Sequence, residues 1–200
     1  MDIENLTASD QAEIVDVLTD AFFDYPVFTT FLKDADSARY EHHLRLLCGF
    51  FADARLMRGW PVYGIREDEH LAAAILVSDP EFMPRPAELD AVYDKVSGEV
   101  GRDVMAQFDA LDRATASFQP KTRTYFVGMV GVRPSSQGKG FGRILLDHVA
   151  KLSLARPESS GVTLTTETEA NVAFYEHLGY RVLGKGNVGG LTSWLFFLEH

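Results

Sequence analysis

Residues Tyr125–Ala155 read YFVGMVGVRPSSQGKGFGRILLDHVAKLSLA: an apolar run, a glycine-rich turn and a helical pattern in immediate succession. The run Tyr125–Val132 predicts a buried strand. Arg133-Pro134-Ser135-Ser136 is a turn, and Ile144, Leu145, Val149 and Leu152 mark one face of the helix beyond it. A strand that enters a helix through such a loop presents backbone N–H groups and the positive end of the helix dipole to an anion, usually a phosphate. Spacing separates the motifs that compete for this loop. A dinucleotide fingerprint requires glycine at position 143, where the chain has Arg143. A P-loop ending at Gly138-Lys139 requires glycine at 133 and Ser or Thr at 140, where it has Arg133 and Gly140. What remains is Gln137-Gly138-Lys139-Gly140-Phe141-Gly142, whose alternating glycines let several N–H groups turn toward one pyrophosphate. Gly128 and Gly131 interrupt the preceding strand, which suggests a bulge or a close backbone approach; two packing glycines are the plainer alternative. A kink there would free backbone groups of Met129–Val132 for an elongated ligand.

The rest of the chain builds a sheet around this unit. Thr7 and Asp10 suit a capping box, followed by a helix with Ile14, Val17, Leu18, Ala21 and Phe22 on one face and a stop at Asp24-Tyr25-Pro26. A second helix is predicted from Ser37 to about Met57, ended by Gly59 and Pro61. Val62–Arg66 and Leu71–Ser78 form an antiparallel hairpin. Residues from about 79 to 120 are a helical excursion, divided near Gly98 and Gly101. Val162–Thr166 is a strand and Asn171–Leu178 a short helix. Tyr180–Leu183 and Leu191–Leu198 are strands joined by a glycine-rich turn, Gly184–Gly190. This order predicts an α/β (α+β) chain with a mixed sheet in one domain, residues 1–197, with a helical insertion at about 79–120. Leu198-Glu199-His200 resembles an expression-tag scar.

Composition excludes several classes. With 46% hydrophobic and 24% charged residues the chain suits a globular domain with a sizeable core. No apolar run is long enough for a membrane span, and the N-terminus is acidic and polar, so a cytoplasmic protein is expected. A formal charge of −10 argues against nucleic acid as a partner. The single cysteine, Cys48, falls in an apolar helical pattern and suits a buried core position in a reducing compartment. No set of His, Cys and Asp has metal-ligand spacing, so no metal is expected.

Asn171 and Tyr175 are four residues apart and share one face of their helix, whereas Phe174 and Leu178 make a separate pair that suits the core. The two segments together resemble the GNAT superfamily of N-acetyltransferases. VGVRPSSQGKGFGRILLDHV is similar to its acyl-CoA motif Gln/Arg-x-x-Gly-x-Gly/Ala, and EANVAFYEHLGYRVLG to its second signature, through Asn171, Phe174, Tyr175, Gly179 and Tyr180.

That resemblance implies a mostly antiparallel sheet with two splayed parallel strands and flanking helices. It implies acetyl-CoA as acyl donor, gripped through Gln137, Gly138, Lys139, Gly140, Phe141 and Gly142, with its pantetheine arm paired to backbone around Val130, Gly131 and Val132. Lys139 and Arg143 add charge there or sit as solvated basic residues; Asn171 belongs to the same side. The acceptor is a small-molecule or peptide amine that attacks the thioester directly, and dimers are common in the family. Tyr175 matches the residue that protonates the departing thiolate. Glu167 is the first candidate base, although the position also suits a solvated strand-end carboxylate, and related subgroups carry a glutamate at the place of Thr165. Tyr25 and Phe28, with Phe31, form an aromatic cluster that suits either an acceptor pocket or the core. A non-catalytic acyl-CoA-binding module is the alternative reading.

Overall fold

The computed structural model describes residues 2–81 and 83–200. The apolar run becomes β4 (Tyr125–Val132), and the helical pattern after the glycine loop becomes α6 (Phe141–Leu154). Around β4 lie β1 (Ile3–Asn5), β2 (Val62–Glu67), β3 (His70–Ser78), β5 (Gly161–Thr166), β6 (Arg181–Val188) and β7 (Leu191–Glu199). They form one sheet in the order β1-β2-β3-β4-β5-β7-β6. Every neighbouring pair is antiparallel except β4 and β5. The expected mixed, mostly antiparallel sheet is therefore present. β1 left no mark in the sequence pattern, because three residues, Ile-Glu-Asn, are too few to show an alternation.

Helices cover both faces. Thr7 and Asp10 form the expected capping box, and α1 (Gln11–Phe22) follows one short 3₁₀ turn later. Then come α2 (Pro26–Phe31), α3 (Ser37–Leu56), α4 (Ala87–Val100), α5 (Arg102–Ala116) and α7 (Ala170–His177). The chain breaks between α4 and α5 at Gly101, with φ +99°, while Gly98 stays inside α4. Ile14, Leu18, Leu44, Leu47 and Cys48 pack against Leu71, Leu76 and Met129 on one face. Phe141, Leu145 and Val149 pack against Ile75, Val127, Leu164 and Phe196 on the other. Among the described residues no helix is long and apolar enough to cross a membrane.

Two differences from the sequence reading have clear causes. Gly184 and Gly186 are not in a turn but inside β6, and only Gly189-Gly190 turn the chain, both with positive φ. The strand lacks side chains there because α5 lies against it. A Cβ on Gly184 would stand 2.3 Å from the Phe118 ring, and one on Gly186 would stand 2.2 Å from the Ala114 carbonyl oxygen. Gly186→Ala is accordingly expected to lower stability by about 1–3 kcal/mol, the usual cost of overpacking, read as a lower urea midpoint at unchanged m-value. Strand pairing also runs through Leu198 and Glu199, the residues set aside as a scar, which sit opposite Val162 and Gly161.

Candidate active site

Gly128 is the residue around which the site opens. Leu76 pairs with Met129 and Val77 with Val127, so Gly128 is left over as a bulge in β4. β4 pairs in parallel with β5 only at Tyr125–Val162, Phe126–Thr163 and Val127–Leu164. Beyond the bulge the two strands part. Gly131 serves the second function proposed for an interrupting glycine: a Cβ there would come within 2.9 Å of the Ala21 Cβ, so α1 lies close against the strand. The gap between the strands is a cleft of about 1020 Å³, walled by β4, the end of β5, α7, the α1–α2 corner, and residues of α3 and α5.

At one end the cleft reaches Pro134 and Gln137, the start of the glycine loop. Gly138 and Gly140 adopt φ near +80°, and a Cβ on either would meet open space. The N–H groups of Gly138, Lys139 and Gly140 find no acceptor among the described residues. Together with the first turn of α6 they form an anion cradle. Phe141 points inward and is fully buried, which fastens the loop to the core. Lys139 and Arg143 are both paired to carboxylates within the chain. Lys139 Nζ is 2.7 Å from Glu67 Oε1, and Arg143 pairs with Asp147 at 3.6 Å on the surface. Gln137 Nε2 donates to the Val132 carbonyl at 3.4 Å, tying loop to strand.

At the other end a hydrogen-bonded chain converges on Glu167, one residue past β5. Asn171 Nδ2 donates to Thr166 Oγ1 at 3.1 Å, and Thr166 Oγ1 lies 3.1 Å from the Tyr25 hydroxyl. Tyr25 donates to Glu167 Oε2 at 2.9 Å and accepts the Glu167 backbone N–H at the same distance. Ser193 on β7 donates to Glu167 Oε1 at 2.5 Å. Both carboxylate oxygens are thus oriented. Burial raises the Glu167 pKa above the ordinary carboxylate value despite these two bonds, and the charge of Asp112 adds to the rise. Glu167 is therefore not a solvated strand-end carboxylate.

Tyr175 and Asn171 both line the cleft, as their shared helix face predicts. Of the expected core pair, Leu178 packs against the core but Phe174 does not. Phe174 is 42% exposed, while Tyr175 is 7% exposed and packs on Phe196 with ring centroids 5.3 Å apart. α7 turns its tyrosine toward both core and cleft, and Phe174 lines the cleft while staying exposed. The Tyr175 pKa is pushed up to about 12, first by burial and then by the charge of Glu167. Val130, Gly131 and Val132 line the cleft along β4. Tyr25 and Phe28 line it too, with Phe22 edge-on to both, at 5.1 and 5.9 Å. Phe28 is at the same time a buried core residue, so the two readings of the aromatic cluster are not exclusive; Phe31 is in the core alone.

Sequence reasoning missed Ser193, Thr166, Arg55 and Asp112. Ser193 and Thr166 carry no local signal, since their roles arise from pairing across the sheet. Arg55 did leave one: it lies four residues after Phe51, on the apolar stripe of α3.

Comparison with known proteins agrees with this geometry. Residues 99–182 match the family model of the acetyltransferase (GNAT) domain. A histone acetyltransferase HPA2 and related acetyltransferase from Corynebacterium glutamicum superimposes with a TM-score of 0.70 at 20% identity, covering 99% of this chain and 96% of the other. A polyamine N-acetyltransferase from Drosophila melanogaster, which forms N-acetylagmatine, gives 0.62 at 15% identity over 100% and 99%. An agmatine N-acetyltransferase gives 0.61 at 14% over 98% and 99%. The glycine loop, the splayed strand pair and the Asn171–Tyr175 helix fall within the segment that matches the GNAT domain, and the chain as a whole shares the fold of these acetyltransferases.

Proposed function

We propose that the chain moves an acetyl group from acetyl-CoA to a primary amine by direct attack, with Glu167 as base and Tyr175 as acid. The observation that carries this reading is Glu167 itself: a desolvated carboxylate, oriented through both oxygens, in the same cleft as a protonated tyrosine. Acetyl-CoA supplies an activated acyl thioester and a thiolate leaving group. The chain's own groups do the rest. The free N–H groups of Gly138–Gly140 and the α6 terminus suit the pyrophosphate, and the backbone of Val130–Val132, freed from β5, suits the pantetheine amides. Fixed N–H dipoles near Val130 suit a developing oxyanion, because they need no reorganisation. Glu167, with its pKa raised by burial above the ordinary carboxylate value, is a stronger base than a solvated carboxylate and is poised to take a proton from an incoming ammonium group. Tyr175, protonated well above neutral pH, has a proton to give to the departing sulfur. A single buried cysteine, Cys48, and acetyl-CoA as donor fit a cytoplasmic enzyme. The amine acceptors of the polyamine and agmatine acetyltransferases support an amine here as well.

Incubation with acetyl-CoA and a broad amine panel should release free thiol in step with amine consumption. Confirmed CoA binding by calorimetry without acetyl transfer to any amine would overturn the proposal.

A further inference from the structure

The cationic side chain among the cleft-lining residues has no role in the proposed chemistry. Arg55, in the last turn of α3, reaches across to β4 at the bulge, where a Cβ on Gly128 would lie 2.3 Å from its Nη2 and 3.0 Å from its Cζ. The guanidinium therefore occupies the space that a side chain on the strand would fill, and it forms part of the cleft wall. It is poorly satisfied. Nη1 donates to the Phe51 carbonyl at a long 3.3 Å, and Nε is buried with no partner. Asp112 acts on it through space without forming an ion pair among the described residues. Desolvation pulls the Arg55 pKa down to about 10, so the group remains charged at neutral pH. A buried guanidinium with free donors is costly unless an anion completes it, and its planar fork matches a carboxylate.

Resting on the acetyl-transfer reading above, we infer that the acceptor carries a carboxylate beside its amine, and that Arg55 binds it. The strand geometry sets the size. Gly128 is two residues from Val130, about 6–7 Å along β4, so the anion is held within a few bonds of the reacting centre. That spacing fits an amino acid or another compact amino carboxylate. A diamine would bring its second cation against Arg55, and a dianionic phosphate would face Asp112 and Glu167.

The test uses matched acceptors that differ by one carboxylate, such as glycine with methylamine and phenylalanine with phenethylamine, together with putrescine as a diamine. The wild-type protein should favour the carboxylated member of each pair in kcat/KM. Arg55→Met should lower the ratio within each pair about 100-fold, mainly through KM, as expected for loss of a charge-assisted bidentate contact. Gly128→Ala, which displaces the guanidinium and keeps the arginine, should lower the same ratio and decides the matter if Arg55→Met does not fold. Wild-type preference for the carboxylate-free amines or for putrescine would overturn the inference, as would a ratio unchanged in both variants. If no amine is acetylated, the acetyl-transfer reading fails separately; calorimetric titration of the same pairs onto CoA-loaded protein then gives the carboxylate ratio directly.

Discussion

Glu167→Gln should lower kcat/KM by about 10²- to 10⁴-fold, the usual contribution of a positioned general base, while raising the melting temperature at pH 7. The two effects have one origin. Glutamine keeps the shape of the side chain and can still accept from Ser193, but it cannot take a proton from the amine. It also carries no charge to desolvate. The folded pKa of Glu167 lies above its ordinary value of 4.5, so the folded state binds the extra proton in the window between the two. The stability associated with this group is therefore fully present below pH 4.5 and is lost as pH rises through the folded pKa. The melting temperatures of wild type and variant should nearly coincide at pH 4 and separate, with the variant higher, by pH 7. The same shift places the acid limb of the wild-type kcat/KM profile above the usual carboxylate range, and the limb should vanish in the variant. A variant that is both slower and less stable at pH 7 would mean that Glu167 is held for its hydrogen bonds rather than for its charge.

Tyr175→Phe should reduce kcat by about 100-fold or more with a smaller change in KM, since only the proton donor is removed. The ring keeps its contacts with Phe174, Tyr180 and Phe196, so the fold should survive, as near-unchanged melting would show. The discriminating measurement varies the leaving group. An acetyl thioester of an aryl thiol departs without needing a proton, so the deficit of the variant should shrink with that donor. An equal deficit with both donors would assign Tyr175 to packing. The direction of its pKa shift makes the acid role reasonable: burial and the neighbouring carboxylate both hold the phenol protonated, to about 12.

The proposed donor side of this protein was legible in the sequence because it is made from contiguous residues. Gln137–Gly142 form a cradle through their own backbone, and glycine is required there by φ near +80° at positions 138 and 140. Gly128 and Gly131 announced a distorted strand, and the bulge and the close approach of α1 are what they permit. What the strand glycines face is decided by packing, whereas the turn of the glycine loop depends on local conformation, so residue order alone fixes it. The capping box at Thr7–Asp10 was legible for the same reason.

The tertiary structure decided what sits opposite. Glycines 184 and 186 looked like a turn because the sequence does not record that α5 will lie over β6. Phe174 left the core and Tyr175 was buried because the short α7 offers one side to the core and the cleft at once. Glu167 became a desolvated, oriented carboxylate through Tyr25, 142 positions away, and Ser193 on a neighbouring strand. Arg55 meets Gly128 only because α3 crosses the sheet at the bulge. Burial and Coulomb interactions act through space and not along the chain. The loop proposed to hold the acyl donor was therefore readable from the sequence, whereas the groups that would select and deprotonate the acceptor existed only once the sheet had formed.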